Sequence, residues 1–228
     1  MKKLIVLSGA GISKESGIPT FRDNDGLWKS HKFEDVASPM AWQRNPELVL
    51  DFYNFRRKLA VGSQPNKAHL LLAELQKQFD VQIITQNVDD LHERAGSKNI
   101  VHLHGEIRKA RSVVDEKFIT EIKGTELNIG DLCPNGSQLR PHIVWFGESV
   151  PNISKAIGII KTADIFLVVG TGLQVYPAAG LIDYVPKKAL KFIIDPSDDF
   201  YVKDYLHFKS CAVTGMIEFC NYLIKNNL

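Results

Sequence analysis

The chain has 228 residues, of which 44% are apolar, enough for one α/β domain with a full core and a small inserted lobe. Its formal net charge of +2 provides no field that would steer it to nucleic acid or anionic lipid. The cysteines, Cys133, Cys211 and Cys220, show no paired spacing, which argues against a disulfide framework and for a reducing, cytoplasmic setting. The apolar start Leu4–Leu7 is too short for a secretory leader, and no run approaches the ~20 apolar residues that span a bilayer.

Along the chain, Leu4–Ser8 is a continuous apolar run that ends at Gly9, the pattern of a parallel strand covered on both faces and feeding a helix. Similar runs are Val81–Thr85, His142–Phe146, Ile165–Gly170 and Leu190–Ile194. Helical patterns lie at Pro46–Ala60, Lys67–Phe79, Ile153–Lys161 and Gly215–Lys225. This alternation predicts a Rossmann-like, doubly wound parallel sheet with right-handed crossovers. Ligands of such sheets bind outside the carboxyl ends of the strands, where Gly9, Gln86 and Gly170 all fall. Two stretches break the rhythm: Arg22–Ala60 has no strand of its own, and Ile107–Arg140 is polar and aperiodic. They predict a smaller lobe from insertions at about 28–60 and 106–140, with the large lobe at about 1–27, 61–105 and 141–228.

Gly9-Ala10-Gly11-Ile12-Ser13 is a strand-to-helix turn in which glycine permits a tight bend and close approach to a pyrophosphate. Lys14 stands where a dinucleotide fingerprint would have its third glycine, so the turn matches Gly-x-Gly only, and a ligand-free turn is an equal reading. Thr20-Phe21-Arg22 follows, an arginine beside an aromatic that could cover a phosphate or, equally, a surface arginine beside a core phenylalanine. Gln86, Asn87 and Asp89 leave the Val81–Thr85 run at its end and suit ribose hydroxyls or a carboxamide, or the capping of a short helix over Asp90–Ala95. His102 and His104 are one residue apart and would share a face on a strand. A neutral imidazole is the best general base near pH 7.

Taken together these blocks resemble the sirtuin family of NAD-dependent protein lysine deacylases. Besides the turn, the match is carried by Gly17-Ile18-Pro19-Thr20-Phe21-Arg22, Asp25-Gly26-Leu27-Trp28, Thr85-Gln86-Asn87-Val88-Asp89, Leu103-His104-Gly105, Arg140-Pro141, Val144-Trp145-Phe146-Gly147-Glu148 and Gly170-Thr171, in family order. The resemblance implies NAD in the crevice and acyl-lysine protein or peptide entering from the opposite side. It implies His104 as the base on a ribose hydroxyl. It places Gln86, Asn87 and Asp89 on the ribose and nicotinamide amide, and Ala10, Phe21 and Arg22 around the nicotinamide and phosphates. Gly170 and Thr171 would meet phosphate, with Gly172 and Asp195 at the adenosine end. Val144, Phe146 and Gly147 would pair with the substrate peptide as an added strand.

Tyr53 and Arg56 are three apart on the Pro46–Ala60 helix, a phenol and a guanidinium on one face. They resemble the Tyr-x-x-Arg pattern of the subgroup that removes succinyl and malonyl groups, with acetyl as a further substrate. The departures are informative. Most of the family has two Cys-x-x-Cys pairs for zinc between the His-Gly and Arg-Pro blocks; this chain has Cys133 alone there, so no zinc is expected. Asp23 replaces a glycine, Gly172 a serine and Asp195 an asparagine common at that position. A monomer is expected, without nucleic-acid or membrane partners. Competing readings are a mono-ADP-ribosyltransferase on the same scaffold, a non-catalytic NAD- or ADP-ribose-binding module and an ordinary dehydrogenase. The last lacks support because the third glycine is missing.

Overall fold

The computed structural model describes residues 1–20, 32–197 and 201–228. Its strands in chain order are β1 (Lys3–Ser8), β2 (Asp80–Thr85), β3 (Ile100–His102), β4 (Gly105–Ser112), β5 (Ile119–Glu121), β6 (Leu139–Ile143), β7 (Ile165–Val169), β8 (Leu190–Ile194) and β9 (Leu206–Phe208). Six of them form one sheet in the order β3-β2-β1-β7-β8-β9, every pairing parallel. With β4–β6 set aside as an insertion, this is the dinucleotide-fold order, and it reverses direction between β1 and β7. The inserted strands make an antiparallel sheet, β5-β4-β6.

Strand β1 shows why its sequence is apolar throughout. Alternate side chains point to opposite faces: Leu4 and Val6 enter one core cluster, Ile5 and Leu7 the other, all fully buried. The first cluster is covered by α5 (Lys67–Leu75) and α8 (Ala212–Lys225), the second by α7 (Ile153–Ile160) and the 3-10 helix Ala178–Tyr184. The helical readings hold to within a turn or so at each end. α5 begins at a capping box in which the Asn66 side chain accepts from the helix backbone and His69 bonds back to it.

The expected strand His142–Phe146 is corrected. The strand is Leu139–Ile143, and it pairs antiparallel with β4 rather than joining the parallel sheet. Arg22–Ala60 contributes α2 (Phe33–Val36), α3 (Pro39–Arg44) and α4 (Pro46–Gly62) in its described part. The polar stretch Ile107–Arg140 holds most of β4 and all of β5.

This lobe is held by apolar packing and backbone clamps. Leu50 of α4 packs with Ala110, Ile122, Leu127, Cys133 and Leu139. Asn54 of α4 donates Nδ2 to Leu127 O (3.1 Å) and accepts from Leu127 N (3.0 Å). Next to it Arg57, fully buried, donates to the carbonyls of Ile107 (2.7 Å) and Thr125 (3.1 Å) and to Asn54 Oδ1 (2.6 Å). One helix thus satisfies backbone groups of strand β4 and of the irregular segment 125–127. Near Cys133, the thiol contacts Asn135 Oδ1 (2.6 Å) and Ser137 Oγ (2.8 Å), and Ser137 reaches Ser112 of β4 (2.7 Å).

Candidate active site

The site forms at the reversal point between β1 and β7, because both strands end there in glycines. Gly9 N donates to Val169 O (3.0 Å) and Gly11 N to Gly170 O (2.8 Å), so the two turns lie against each other. A Cβ on Gly11 would stand 2.7 Å from Gly170 Cα, and one on Gly170, whose φ is +67°, 2.3 Å from Ile12 N. Glycine is required at both turns by contact, and at Gly170 by backbone conformation too. After Gly11 the chain enters a single helical turn, α1 (Gly11–Lys14).

A cleft of about 580 Å³ opens above these turns. Gly9, Ala10, Gly11, Ser13, Thr20, Gln86, Asn87, Asp89, Gly170, Thr171, Gly172 and Asp195 all line it. So do His104, Tyr53, Arg56, Val144, Phe146 and Gly147. Ile12 does not: its side chain is fully buried in the core, and it serves the turn through its backbone. Phe21 and Arg22 lie outside the described residues. The cleft also takes in residues for which the sequence offers no signal, among them Ala37, Glu15 and Cys211.

Asn87 and Asp89 are joined through Ser13. Its hydroxyl donates to Asp89 Oδ2 and accepts from Asn87 Nδ2, both at 3.1 Å. Asp89 Oδ1 accepts from Leu91 N (3.2 Å), a local turn bond; the N-cap of the helix Leu91–Arg94 is Asp90, which makes no side-chain cap bond, so the expected capping by Asn87 or Asp89 is corrected. Burial pushes the Asp89 carboxyl up, against the hydrogen bonds from Leu91 and Ser13. Gln86 donates Nε2 to Thr171 Oγ1 (3.0 Å), joining the β2 and β7 loops. His69 Nε2 approaches Ser13 Oγ from beneath (3.4 Å), and burial holds His69 down at about 4, so it stays neutral.

The two histidines part company. β3 ends at His102, the chain bends at Leu103 and His104, and Gly105 enters β4 with φ +86°. A Cβ on Gly105 would sit 2.0 Å from His142 O, so the bend needs glycine. His104 consequently faces the cleft while His102 turns into a separate small cavity of about 270 Å³. The expectation that they share a face is corrected by this bend. His104 Nδ1 lies 3.1 Å from Gln86 O; a carbonyl only accepts, so Nδ1 carries the hydrogen and Nε2 keeps a free electron pair. Burial depresses the His104 pKa, with the Gln86 carbonyl opposing, and the ring is neutral at pH 7.

Tyr53 and Arg56 line the same cleft from α4. The Arg56 guanidinium carbon is 5.7 Å from the ring centroids of both Phe52 and Tyr53. Burial raises the Tyr53 hydroxyl to about 12, so it remains a hydrogen-bond donor at neutral pH. Burial also lowers Arg56, against the pull of Tyr53 and Asp89.

The segment after β6 is built on a charge network that carried no assigned role in the sequence. Arg140 meets Glu148 through paired bonds of 2.7 and 3.0 Å, Arg111 adds two more of 3.1 Å, and Glu148 Oε2 accepts from Trp145 N (2.8 Å). The Arg140 guanidinium carbon lies 3.3 Å over the Trp145 ring. Val144 N bonds to His104 O and Phe146 N to Ala37 O, each at 3.0 Å, fixing this strip beside the bend at His104. Partial burial would raise Glu148, but the Arg140 and Trp145 bonds hold it below the usual carboxylate range.

Fold and cleft together define a Rossmann-like nucleotide site with an imidazole, an amide and a carboxylate gathered at one end. The chain belongs to the Sir2 family, which matches residues 9–177. It is 57% identical over 196 residues to an NAD-dependent protein deacylase of Helicobacter pylori, covering 86% of this chain and 85% of that one. It is 55% identical over 231 residues to one of Bacteroides thetaiotaomicron, covering 98% and 99%. A crystal structure of a Sir2 homolog–NAD complex superposes with a TM-score of 0.89 at 39% identity, over 99% of this chain and 90% of that one.

Proposed function

We propose that this chain cleaves NAD to remove acyl groups from protein lysines, and that it accepts succinyl and malonyl groups as well as acetyl. The observation that carries the reading is the position of His104, with its Nε2 electron pair in the cleft that also holds the paired turns, Tyr53 and Arg56. The cleft fits the cofactor: two glycine turns with no side chain to block approach line it at the strand reversal, and Asn87 and Asp89 present an amide and a carboxylate fixed through Ser13. NAD, when bound, supplies a nicotinamide–ribose bond whose loss exposes an electrophilic sugar carbon to the acyl oxygen.

The protein's own work is then positional and basic. Asn87 and Asp89 orient the nicotinamide amide and ribose; Gln86, tied to Thr171, orients ribose beside the phosphates held at Gly9, Gly11, Gly170 and Thr171. Gly172 and Asp195 serve the adenosine end. With NAD bound, His104 Nε2 would accept the proton of a ribose hydroxyl, and this is the proton transfer assigned to the protein. Val144, Phe146 and Gly147 hold the peptide by main-chain pairing. Tyr53 and Arg56 receive the carboxylate of an acidic acyl group.

The test is incubation with NAD and a panel of acetyl-, malonyl- and succinyl-lysine peptides, read by mass spectrometry. Loss of the succinyl group from the succinyl peptide together with release of nicotinamide supports the reading. Gain of ADP-ribose on the peptide with the acyl group retained would make the chain a mono-ADP-ribosyltransferase, and no release of nicotinamide would make it a binding module.

The fold is proposed to stand without zinc. Among the described residues no group of three or more histidine, cysteine, aspartate or glutamate side chains could hold a metal ion, and the lobe is closed by the Asn54/Arg57 clamp. A strong chelator should therefore leave both the thermal midpoint and the turnover unchanged. A fall in Tm on chelation, restored by zinc, would overturn this.

A further inference from the structure

The turn after β2 offers two successive carbonyls to two different imidazoles. Gln86 O takes His104 Nδ1, and Asn87 O takes His102 Nδ1 at 2.9 Å. The other nitrogen of His102, Nε2, lies 2.7 Å from Glu93 Oε1 in α6 (Leu91–Arg94). A carbonyl oxygen only accepts, and an ionised carboxylate only accepts, while a neutral imidazole has a single N–H. Both contacts are made together only if the ring carries two hydrogens and faces a carboxylate, or if Glu93 is itself protonated.

The surroundings select the first arrangement. The His102 side chain is 9% exposed and that of Glu93 41%, so water still solvates the carboxylate. From β4, Glu106 adds a negative charge near His102, and Lys109 is drawn off to Glu106 (2.8 Å) and to Glu121 of β5 (3.9 Å). From the β2 turn come Asp89 and Asp90; Asp90 is engaged by Arg108 (3.3 Å) and Arg94 (3.6 Å). Beneath, His92 is kept far below the usual histidine range by burial and stays neutral. Burial opposes the charge on His102, but Glu93, the Asn87 carbonyl and Glu106 outweigh it and leave its pKa raised; Glu93 ends below its usual range despite its own burial.

We propose that His102 is a positioning residue of the reaction: as an imidazolium tied to Glu93, it fixes the Asn87 carbonyl and with it the turn that aims Asn87 at the cofactor and His104 at the ribose. The proposal rests on the reading of His104 as the base. Its sign is defined. A group whose folded pKa is raised contributes fully below its unfolded pKa and is lost as pH rises through the folded value. His104 runs the other way, becoming a competent base only above its depressed pKa. The acid limb of the activity profile belongs to His104 and the alkaline limb to His102.

The test is kcat/KM against pH for wild type, His102→Gln and Glu93→Gln, with ¹⁵N NMR of the histidine rings. Wild type should show both limbs, and both His102 nitrogens protonated at pH 7, with the Asn87 amide signal moving at the same midpoint as pH rises. His102→Gln should lose about tenfold in kcat near neutrality, the worth of a charged hydrogen bond, and keep the acid limb with a flat alkaline side. Glu93→Gln should move the alkaline limb to lower pH, a shift that a merely structural role would not produce. A neutral His102 at pH 7, an unmoved limb in Glu93→Gln, or a His102→Gln profile matching wild type would overturn the proposal. The NMR titration needs no turnover, and Glu93→Gln decides the matter if His102→Gln does not fold. Failure of the His104 reading is separately visible as a His104→Ala enzyme with wild-type turnover.

Discussion

His104→Ala is expected to lower acyl-peptide turnover about 10²- to 10⁴-fold, the usual contribution of a positioned general base. NAD affinity and Tm should change little, because among the described residues the ring's hydrogen bond is to the Gln86 carbonyl and the ring lines a cleft instead of filling the core. The wild-type acid limb should fall below the ordinary histidine range, since burial favours the neutral ring. Mass spectrometry of the peptide gives turnover, and calorimetric titration with NAD gives binding. A variant that deacylates at the wild-type rate would remove His104 from the chemistry; one that no longer binds NAD would show the ring to be a ligand contact instead. His104→Gln, which keeps a polar group of similar reach but no basic nitrogen, separates loss of the base from loss of packing.

How much of this was legible depended on whether the signal was local. β1, β2, β7 and β8 were readable because strands covered on both faces are largely apolar, and the glycines after β1 and β7 let two turns touch. Once those ends were located, the parallel order put them in one cleft. The run His142–Phe146 misled for the same reason. In Val144-Trp145-Phe146 the tryptophan is buried under Arg140, Val144 is half-buried and Phe146 is exposed on the cleft, and an apolar run does not separate that arrangement from a sheet strand. β3, β5 and β9 are three residues each, too short to show alternation. The fates of His102 and His104 hinged on one bend before Gly105, a backbone event with no signature in side-chain pattern. The Arg140/Glu148/Arg111 network joins residues far apart in sequence, so spacing alone could not assemble it.

Arg56→Met is expected to lower kcat/KM on a succinyl-lysine peptide about 10- to 100-fold while leaving the acetyl-lysine peptide within about twofold, the loss being that of a charged hydrogen-bonded pair. Methionine keeps much of the apolar stem against Phe52 and Tyr53 and removes the guanidinium, so the change is in charge more than in shape. The discrimination arises from burial. In a half-buried, largely apolar pocket an incoming carboxylate loses water and must replace its hydrogen bonds with those of the guanidinium and of the Tyr53 hydroxyl, which burial lifts to about 12 and keeps a donor well above neutral pH. An acetyl group brings no charge and asks nothing of either residue. Tyr53→Phe should therefore give a smaller loss in the same direction, carried mainly in KM. Equal losses on both peptides would show that Arg56 supports the fold of α4 instead of reading the acyl group, and an undiminished succinyl rate would assign the pocket to neutral acyl chains.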